Sequence, residues 1–399
     1  MKILTFTVLL LVASSSILAQ PVSPATDVDR LIARELAASK AFNTLAELTD
    51  GIGARPSGSP NAAAAVLWAL NRFHSWGHRG QAGKGVRATL GARGVETATL
   101  VSHHNQRIVL TALGMSVATP LEGITAEVIA VHSFDELKSL GAARIRGKIV
   151  VYDVPIDMPL VLAHHAFDAY RLAQPFRGGG PSRAAEFGAV AVVIRALGTA
   201  SLRTPHTGSL EYDQKQPRIP AAAMTAEDSG LVQRLLAKGD RVRMRLVLTP
   251  RTLPDVLSAN VIAEIKGSEH PEEIVLIGAH LELPRHIAAI ETDAGAPAPT
   301  GFNTTLKGEA LSKLQASTTS LGRIGASKFE TVARPGADTS FLVDAGVPGF
   351  GLVPEPLHYF DYHHTAADTL DKIDPQELAH NSAAVAALAW LLSETGLPR

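Results

Sequence analysis

The apolar pattern is strongest at Ile274-Val275-Leu276-Ile277, four consecutive large apolar residues leading into Gly278-Ala279-His280-Leu281-Glu282. Such a run predicts a strand covered on both faces, as in a mostly parallel sheet. Residues 261–265, the apolar stretch that ends Ile290-Glu291-Thr292-Asp293, and residues 347–353 predict further strands. Helical spacing brackets them. Across 27–48, Leu31, Ile32, Leu36, Phe42 and Leu45 fall roughly on one stripe, which predicts a single amphipathic helix. Ser59 and Pro60 supply an N-cap and a first helical residue for an alanine-rich helix that stops at Gly77. Asp374, Pro375 and Glu377 open a closing helix to about 395 in the same way. After Asp293 the pattern predicts loop until a helix over 308–321, and Ala337-Asp338-Thr339-Ser340 starts a short helix.

Residues 124–248 have a different texture. Short strands over 127–131, 148–152, 189–194 and 241–248 alternate with helices, and Ser133 to Glu136 and Thr225 to Asp228 read as capping-box-like starts. Gly178-Gly179-Gly180-Pro181 reads as a turn before a helix; lacking a following Gly-Lys-Ser or Gly-Lys-Thr, it is no P-loop. The strands and caps of this block are complete on their own, while the motifs on either side belong to one sheet. A compact inserted subdomain is therefore expected. His164, His165 and His206 within it have no ligand spacing to carboxylates and are expected to be surface or packing residues.

Composition narrows the function classes. The 399 residues are long enough for two domains, and 46% hydrophobic with 19% charged residues describes an ordinary globular protein. A formal net charge of −1 excludes the basic surface that nucleic acid or an anionic membrane would require. Lys2, the apolar run over 3–13 and the small residues up to Gln20 form a secretory signal peptide, too short for a spanning helix. The mature chain is expected to be secreted, extracellular or periplasmic. There is no cysteine, so disulfides, thiolate nucleophiles and Cys-type zinc sites are excluded. Any metal must be held by histidine and carboxylate, which suits a catalytic site.

The chemistry-bearing residues gather at predicted strand ends. In open α/β sheets ligands bind at the carboxyl ends of the strands. His280 follows the first strand, Asp293 the second, and Tyr362-His363-His364 with Asp368 lies downstream. One histidine at a strand end is more often structural, but three such places rich in imidazole and carboxylate point to a metal.

The segments SANVIAEIKG, IVLIGAHLE, IAAIETDAGAPAPTGF, ADTSFLVDAGVPGFGLVPEP and YFDYHHTAADTLDKIDP resemble the di-zinc exopeptidases, a family of aminopeptidases and carboxypeptidases, and most of all their carboxypeptidase Q branch. The resemblance implies an α/β fold, a mostly parallel sheet flanked by helices with an inserted protease-associated-type domain. It divides the chain into a signal peptide over 1–19, an N-terminal part of the peptidase domain over 20–122, the insert over 123–251 and an internally truncated C-terminal part over 252–399. It implies two zinc ions bridged by a carboxylate, peptide or dipeptide substrates and a homodimer. His280, Asp293 and His364 match metal ligands, Glu282 replaces the aspartate that orients the first histidine, and His363 matches a donor to the oxyanion.

One departure is large. In the family a bridging aspartate, a helix, a strand and a glutamate pair intervene before the strand that ends in Asp293. Here Leu283-Pro284-Arg285 joins the two strands directly, so the bridge and the catalytic base have no counterpart. Elementary geometry flags the same place, since parallel strands need a crossover of a dozen or more residues and a short link allows only a hairpin, a kink or one bent strand. Loss of a segment after His280 is the expected cause. One zinc or none is then expected, with impaired hydrolysis. The alternative is a non-catalytic binding protein that retains the peptidase fold. A serine hydrolase using Ser340, His364 and Asp368 lacks the nucleophile-elbow pattern.

Overall fold

The computed structural model describes residues 26–83, 86–88, 91–278 and 286–395. The leader expected over 1–19, and His280, Glu282 and the 283–285 junction, lie outside the described residues. Two large sheets organise the chain. The first has the spatial order Ile274–Ile277, His286–Glu291, Gly349–Pro354, Pro299–Thr304, Lys328–Thr331. Its pairings are parallel except where Pro299–Thr304 meets Gly349–Pro354. The sheet is thus mostly parallel, as expected.

Helices Asp27–Ala38 and Pro375–Thr395 cover this sheet. Ala383, Ala384, Ala387, Leu388 and Leu392 recur at helical spacing and meet Ala288, Ile290, Phe302 and Phe350 of the strands. Small residues on the helix let it lie close to the sheet. The single helix expected over 27–48 is broken instead into Asp27–Ala38 and Ala41–Thr49. Ser39 is responsible: its backbone is non-helical, and its hydroxyl donates to Glu35 at 2.7 Å and accepts from Ala41 N at 3.2 Å. Such local side-chain hydrogen bonds compete with the helix ladder.

The strand Ile274–Ile277 corrects two expectations. It lies at the sheet edge rather than covered on both faces, with Ile277 55% exposed. Val275 packs on the core beneath the closing helix, and the strand's other residues up to Leu276 are partly buried. It is also parallel to His286–Glu291, not joined to it as a hairpin or a kinked strand. Only residues 278–285 lie between the two, fewer than a parallel crossover normally takes.

Where loop was expected after Asp293 the structure has the strand Pro299–Thr304. Proline and glycine lower its strand signal, yet both have positional reasons. Pro299 opens the strand, and a Cβ on Gly301 would lie 2.2 Å from the Lys328 carbonyl oxygen, so only glycine permits that close pairing.

The second sheet has eight strands in the order Gln106–Ile108, Glu96–Leu100, Arg243–Leu248, Ile124–Val131, Ile149–Tyr152, Ala191–Arg195, Ala221–Met224, Leu110–Ala112. The four from Ile124–Val131 to Ala221–Met224 run parallel, and Ile149–Tyr152 is buried throughout, as an uninterrupted apolar run requires. The expected boundary at 123 falls inside this sheet, because Glu96–Leu100 pairs with Arg243–Leu248 and Leu110–Ala112 with Ala221–Met224. Ser133 Oγ accepts from Glu136 N at 3.0 Å and Thr225 Oγ1 from Asp228 N at 3.2 Å, so both helix starts are capped.

Residues 156–199, beside the second sheet, rest on the segment before His363. Ile156, Val161, Ala166 and Ala169 pack on Phe360, and Thr199 N donates to the Phe360 carbonyl at 3.1 Å. Among the described residues no helix is long and apolar enough to cross a membrane.

Candidate metal and catalytic site

The strand His286–Glu291 is buried over its last four residues and delivers its carboxylate and the following turn to one end of the sheet. Glu291 is 4% exposed and accepts three hydrogen bonds, from Ala337 N at 3.0 Å, Thr339 N at 2.9 Å and Thr339 Oγ1 at 3.0 Å. A Cβ on Gly336 would lie 2.1 Å from Glu291 Oε2, so glycine is required there. The carboxylate is fully engaged in holding the 337–339 turn and is no free ligand or base.

Asp293 stands two residues further on. It keeps an accessible edge, but burial raises its pKa, Glu291 and Asp338 push the same way, and His364 pulls against them. The folded protein therefore retains a proton that the unfolded chain has lost. Stability falls as pH rises from the ordinary aspartate range through the raised folded value. Asp293→Asn in zinc-free protein removes that penalty and should raise the neutral-pH melting temperature modestly. A melting temperature that is unchanged or lower counts against this account of the site.

His363 and His364 follow the helix Tyr359–Tyr362. His364 has a left-handed backbone, φ 57°, which is uncommon for a residue with a Cβ. Thr207 of the insert secures it twice: Thr207 N donates to the His364 carbonyl at 3.1 Å, and His364 Nδ1 donates to the Thr207 carbonyl at 3.3 Å. The two histidine rings stack, centroids 3.7 Å apart.

The insert brings a third imidazole. His206, expected to be a surface or packing residue, is 0% exposed, and its Nε2 lies 3.1 Å from His363 Nδ1. Its ring centre is 5.5 Å from that of His364. No local signal announces it, because its partners are more than 150 residues away in the chain. Tyr170 stacks on Phe360 and meets both His206 and His363 edge-on. Arg177 lies over Tyr170 and donates to the Thr207 carbonyl at 3.2 Å.

This setting keeps the imidazoles neutral. Burial lowers the His206 pKa to about 2, with further lowering by His363, Arg177 and His364. His363 is lowered to about 3 by burial, then by His364 and Arg177. His364 is lowered by burial and Arg177, while Asp368 and Asp293 oppose the shift. Burial raises Asp368, and Tyr359 is pushed up to about 12 by burial, then Asp293, Tyr170 and Asp368. Near neutral pH the site thus offers imidazole lone pairs, carboxylates and a protonated phenol.

A pair of zinc ions needs a shared carboxylate between them. Among the described residues Glu291 cannot serve as that carboxylate, since it is occupied by three donors. The site does fit one ion. Among the described residues a single group of three potential ligands converges, His206, His363 and His364, with one nitrogen of each within 4.8 Å of the others.

No protein-family model matches the chain. Carboxypeptidase Q of Homo sapiens is 29% identical over 426 aligned positions, covering 91% of this chain and 88% of that protein. Carboxypeptidase Q of Xenopus laevis is 28% identical with the same coverage. The alignment is longer than the 399 residues of this chain, so the relatives carry stretches that it lacks. A solved peptidase M28 precursor from Shewanella amazonensis superposes with a TM-score of 0.86 at 29% identity, covering 93% of this chain and 98% of its own. A zinc aminopeptidase from Bacillus subtilis shares the fold at a TM-score of 0.60 and 15% identity, covering 88% and 94%. This agreement along nearly the whole chain, in sequence and in fold, supports a metallopeptidase similar to carboxypeptidase Q and to the M28 peptidases.

Proposed function

We propose that the chain is exported and hydrolyses terminal peptide bonds of peptides or dipeptides with a single zinc, far more slowly than a member with a complete site. The observation that supports this best is the cluster of potential ligands around His364, with Asp293, past the end of its strand, acting on the same imidazole electrostatically. His280, which the family resemblance pairs with Asp293, is the third ligand in this reading. Zinc, when bound, supplies Lewis-acid polarisation of a carbonyl and an acidified water.

The protein groups then have distinct tasks. His363 turns Nδ1 toward His206; in the tautomer in which Nδ1 accepts, Nε2–H donates to the oxygen that gains charge on the substrate carbonyl. Its lowered pKa makes it a neutral donor, not an acid. Tyr359 keeps its proton and offers a second polar group beside Asp293. The glutamate pair that supplies the base in the family has no counterpart in this sequence, and Glu291 is hydrogen-bonded on both oxygens. That deficit lowers turnover by roughly 10²–10⁴-fold.

The parallel pairing of Ile274–Ile277 with His286–Glu291 across residues 278–285, with Ile277 exposed, supports the absence of a covering segment at this point. The decisive experiment is a dipeptide hydrolysis assay on purified zinc-loaded protein. Slow hydrolysis that disappears with a chelator and in His364→Ala is expected. Hydrolysis indifferent to both overturns the reading, and zinc binding with no hydrolysis above buffer leaves the non-catalytic binding protein in its place. Sequencing the terminus of the exported product, expected near Gln20, tests export, and sedimentation tests the homodimer that the resemblance implies.

A further inference from the structure

We infer that the zinc of this chain is held by three imidazoles, His206 from the insert with His363 and His364 from the peptidase domain. This rests on the reading that the chain binds zinc, but it relocates the ion and makes the insert part of the metal centre.

The geometry is the first support. Two imidazole nitrogens on one tetrahedral zinc, each at ~2.0–2.1 Å, stand about 3.3 Å apart. His206 Nε2 and His363 Nδ1 are 3.1 Å apart, so an ion displaced sideways from the line between them reaches both with little movement. The third nitrogen lies within 4.8 Å and must close by roughly 1.5 Å to meet that spacing. His364 is the exposed member of the three and has room to do so.

Tautomers are the second support. A metal-bound histidine normally donates its other ring N–H to a carbonyl or carboxylate. His364 Nδ1 already donates to the Thr207 carbonyl, which leaves the Nε2 lone pair for an ion. His363 bound through Nδ1 retains Nε2–H as a donor. His206 is fully buried, yet Nδ1 has no partner, so hydrogen bonds do not hold this ring as they hold a structural core histidine. In the metal-free protein the hydrogen bond of its ring nitrogen Nε2 is to another neutral imidazole, and only one of the two can donate.

Charge is the third. Arg177 acts on all three histidines and opposes a dication. Asp293 and Asp368 act on His364 in the opposite sense to the guanidinium. A water or hydroxide completes the usual set of three protein ligands and an open position.

The test measures zinc directly. Full-length protein is stripped with a chelator and reloaded, and zinc content and affinity are measured for wild type, His206→Gln, His363→Gln and Asp293→Asn. X-ray absorption at the zinc edge of the wild type counts imidazoles. One zinc with three imidazoles is expected, with affinity weakened at least ~10-fold in His206→Gln and His363→Gln, the lower range for disturbing a metal site, and little changed in Asp293→Asn. Thermal melts establish that the variants are folded, and the absorption spectrum needs no variant. Two imidazoles with zinc lost in Asp293→Asn but retained in His206→Gln overturns the relocation and leaves the zinc reading intact. No zinc in the wild type overturns both. Unchanged zinc binding in His206→Gln with reduced turnover reassigns His206 to positioning the His363 ring.

Discussion

Splicing a crossover that carries an aspartate and a glutamate pair between Ile277 and His286 should raise dipeptide hydrolysis by roughly 10²–10⁴-fold, the usual worth of a positioned proton-transfer group. The two flanking strands are already parallel, so the sheet has the direction that a long crossover requires. The graft has a ready place to pack. Ile277 is exposed at the end of this edge strand, so a crossover that covers it would bury apolar surface at ~25 cal/mol per Å². A shared carboxylate would also let two zinc ions sit a few ångströms apart, where both can clamp the developing charge. The measurement is kcat/KM on a dipeptide for the native and grafted chains, alongside zinc stoichiometry. A graft that folds, binds two zinc ions and shows no gain in rate would sink the idea that the missing segment limits this chain.

Much of this architecture is legible in the sequence where one residue type has one physical use. Ser133 and Thr225 cap helices because a hydroxyl three residues before a donor does little else at a helix start. The run 274–277 forms a strand because four large apolar residues in a row have no helical stripe. Its exposure was not legible, since burial depends on what packs above it. Pro299–Thr304 was hidden because glycine there serves close strand pairing, a need visible only beside Lys328. The early start of the second sheet was hidden because Glu96–Leu100 finds its partner at Arg243–Leu248, far along the chain. His206 is the sharpest case. A pattern of ligand spacing sees only neighbours, whereas it is the packing of the second sheet and its helices that brings this ring to His363.

Glu291→Ala should destabilise the zinc-free protein by about 3 kcal/mol or more, because it strands three buried neutral donors at roughly 1–3 kcal/mol each. The carboxylate is 4% exposed and serves three donors, two of which belong to the fully buried Thr339. Alanine leaves those donors unsatisfied, at roughly 1–3 kcal/mol each where water cannot replace the partner. One effect works the other way. Glu291 is the second cause of the raised Asp293 pKa, so its removal relieves a like-charge repulsion. That relief is smaller, because Asp293 keeps an accessible edge and burial remains its leading cause. The lost hydrogen bonds therefore decide the sign. Glu291→Gln should lose less than alanine, since its carbonyl still accepts from Thr339 while its amide nitrogen faces the remaining donor. The consequence for function follows from place: the 337–339 turn and Asp338 stand beside Asp293, so loosening them should also weaken zinc binding wherever Asp293 faces the ion. Urea unfolding of the three proteins at neutral pH measures the stability order. A loss below about 1 kcal/mol in Glu291→Ala would mean that water takes over the three donors and that the turn does not depend on this carboxylate.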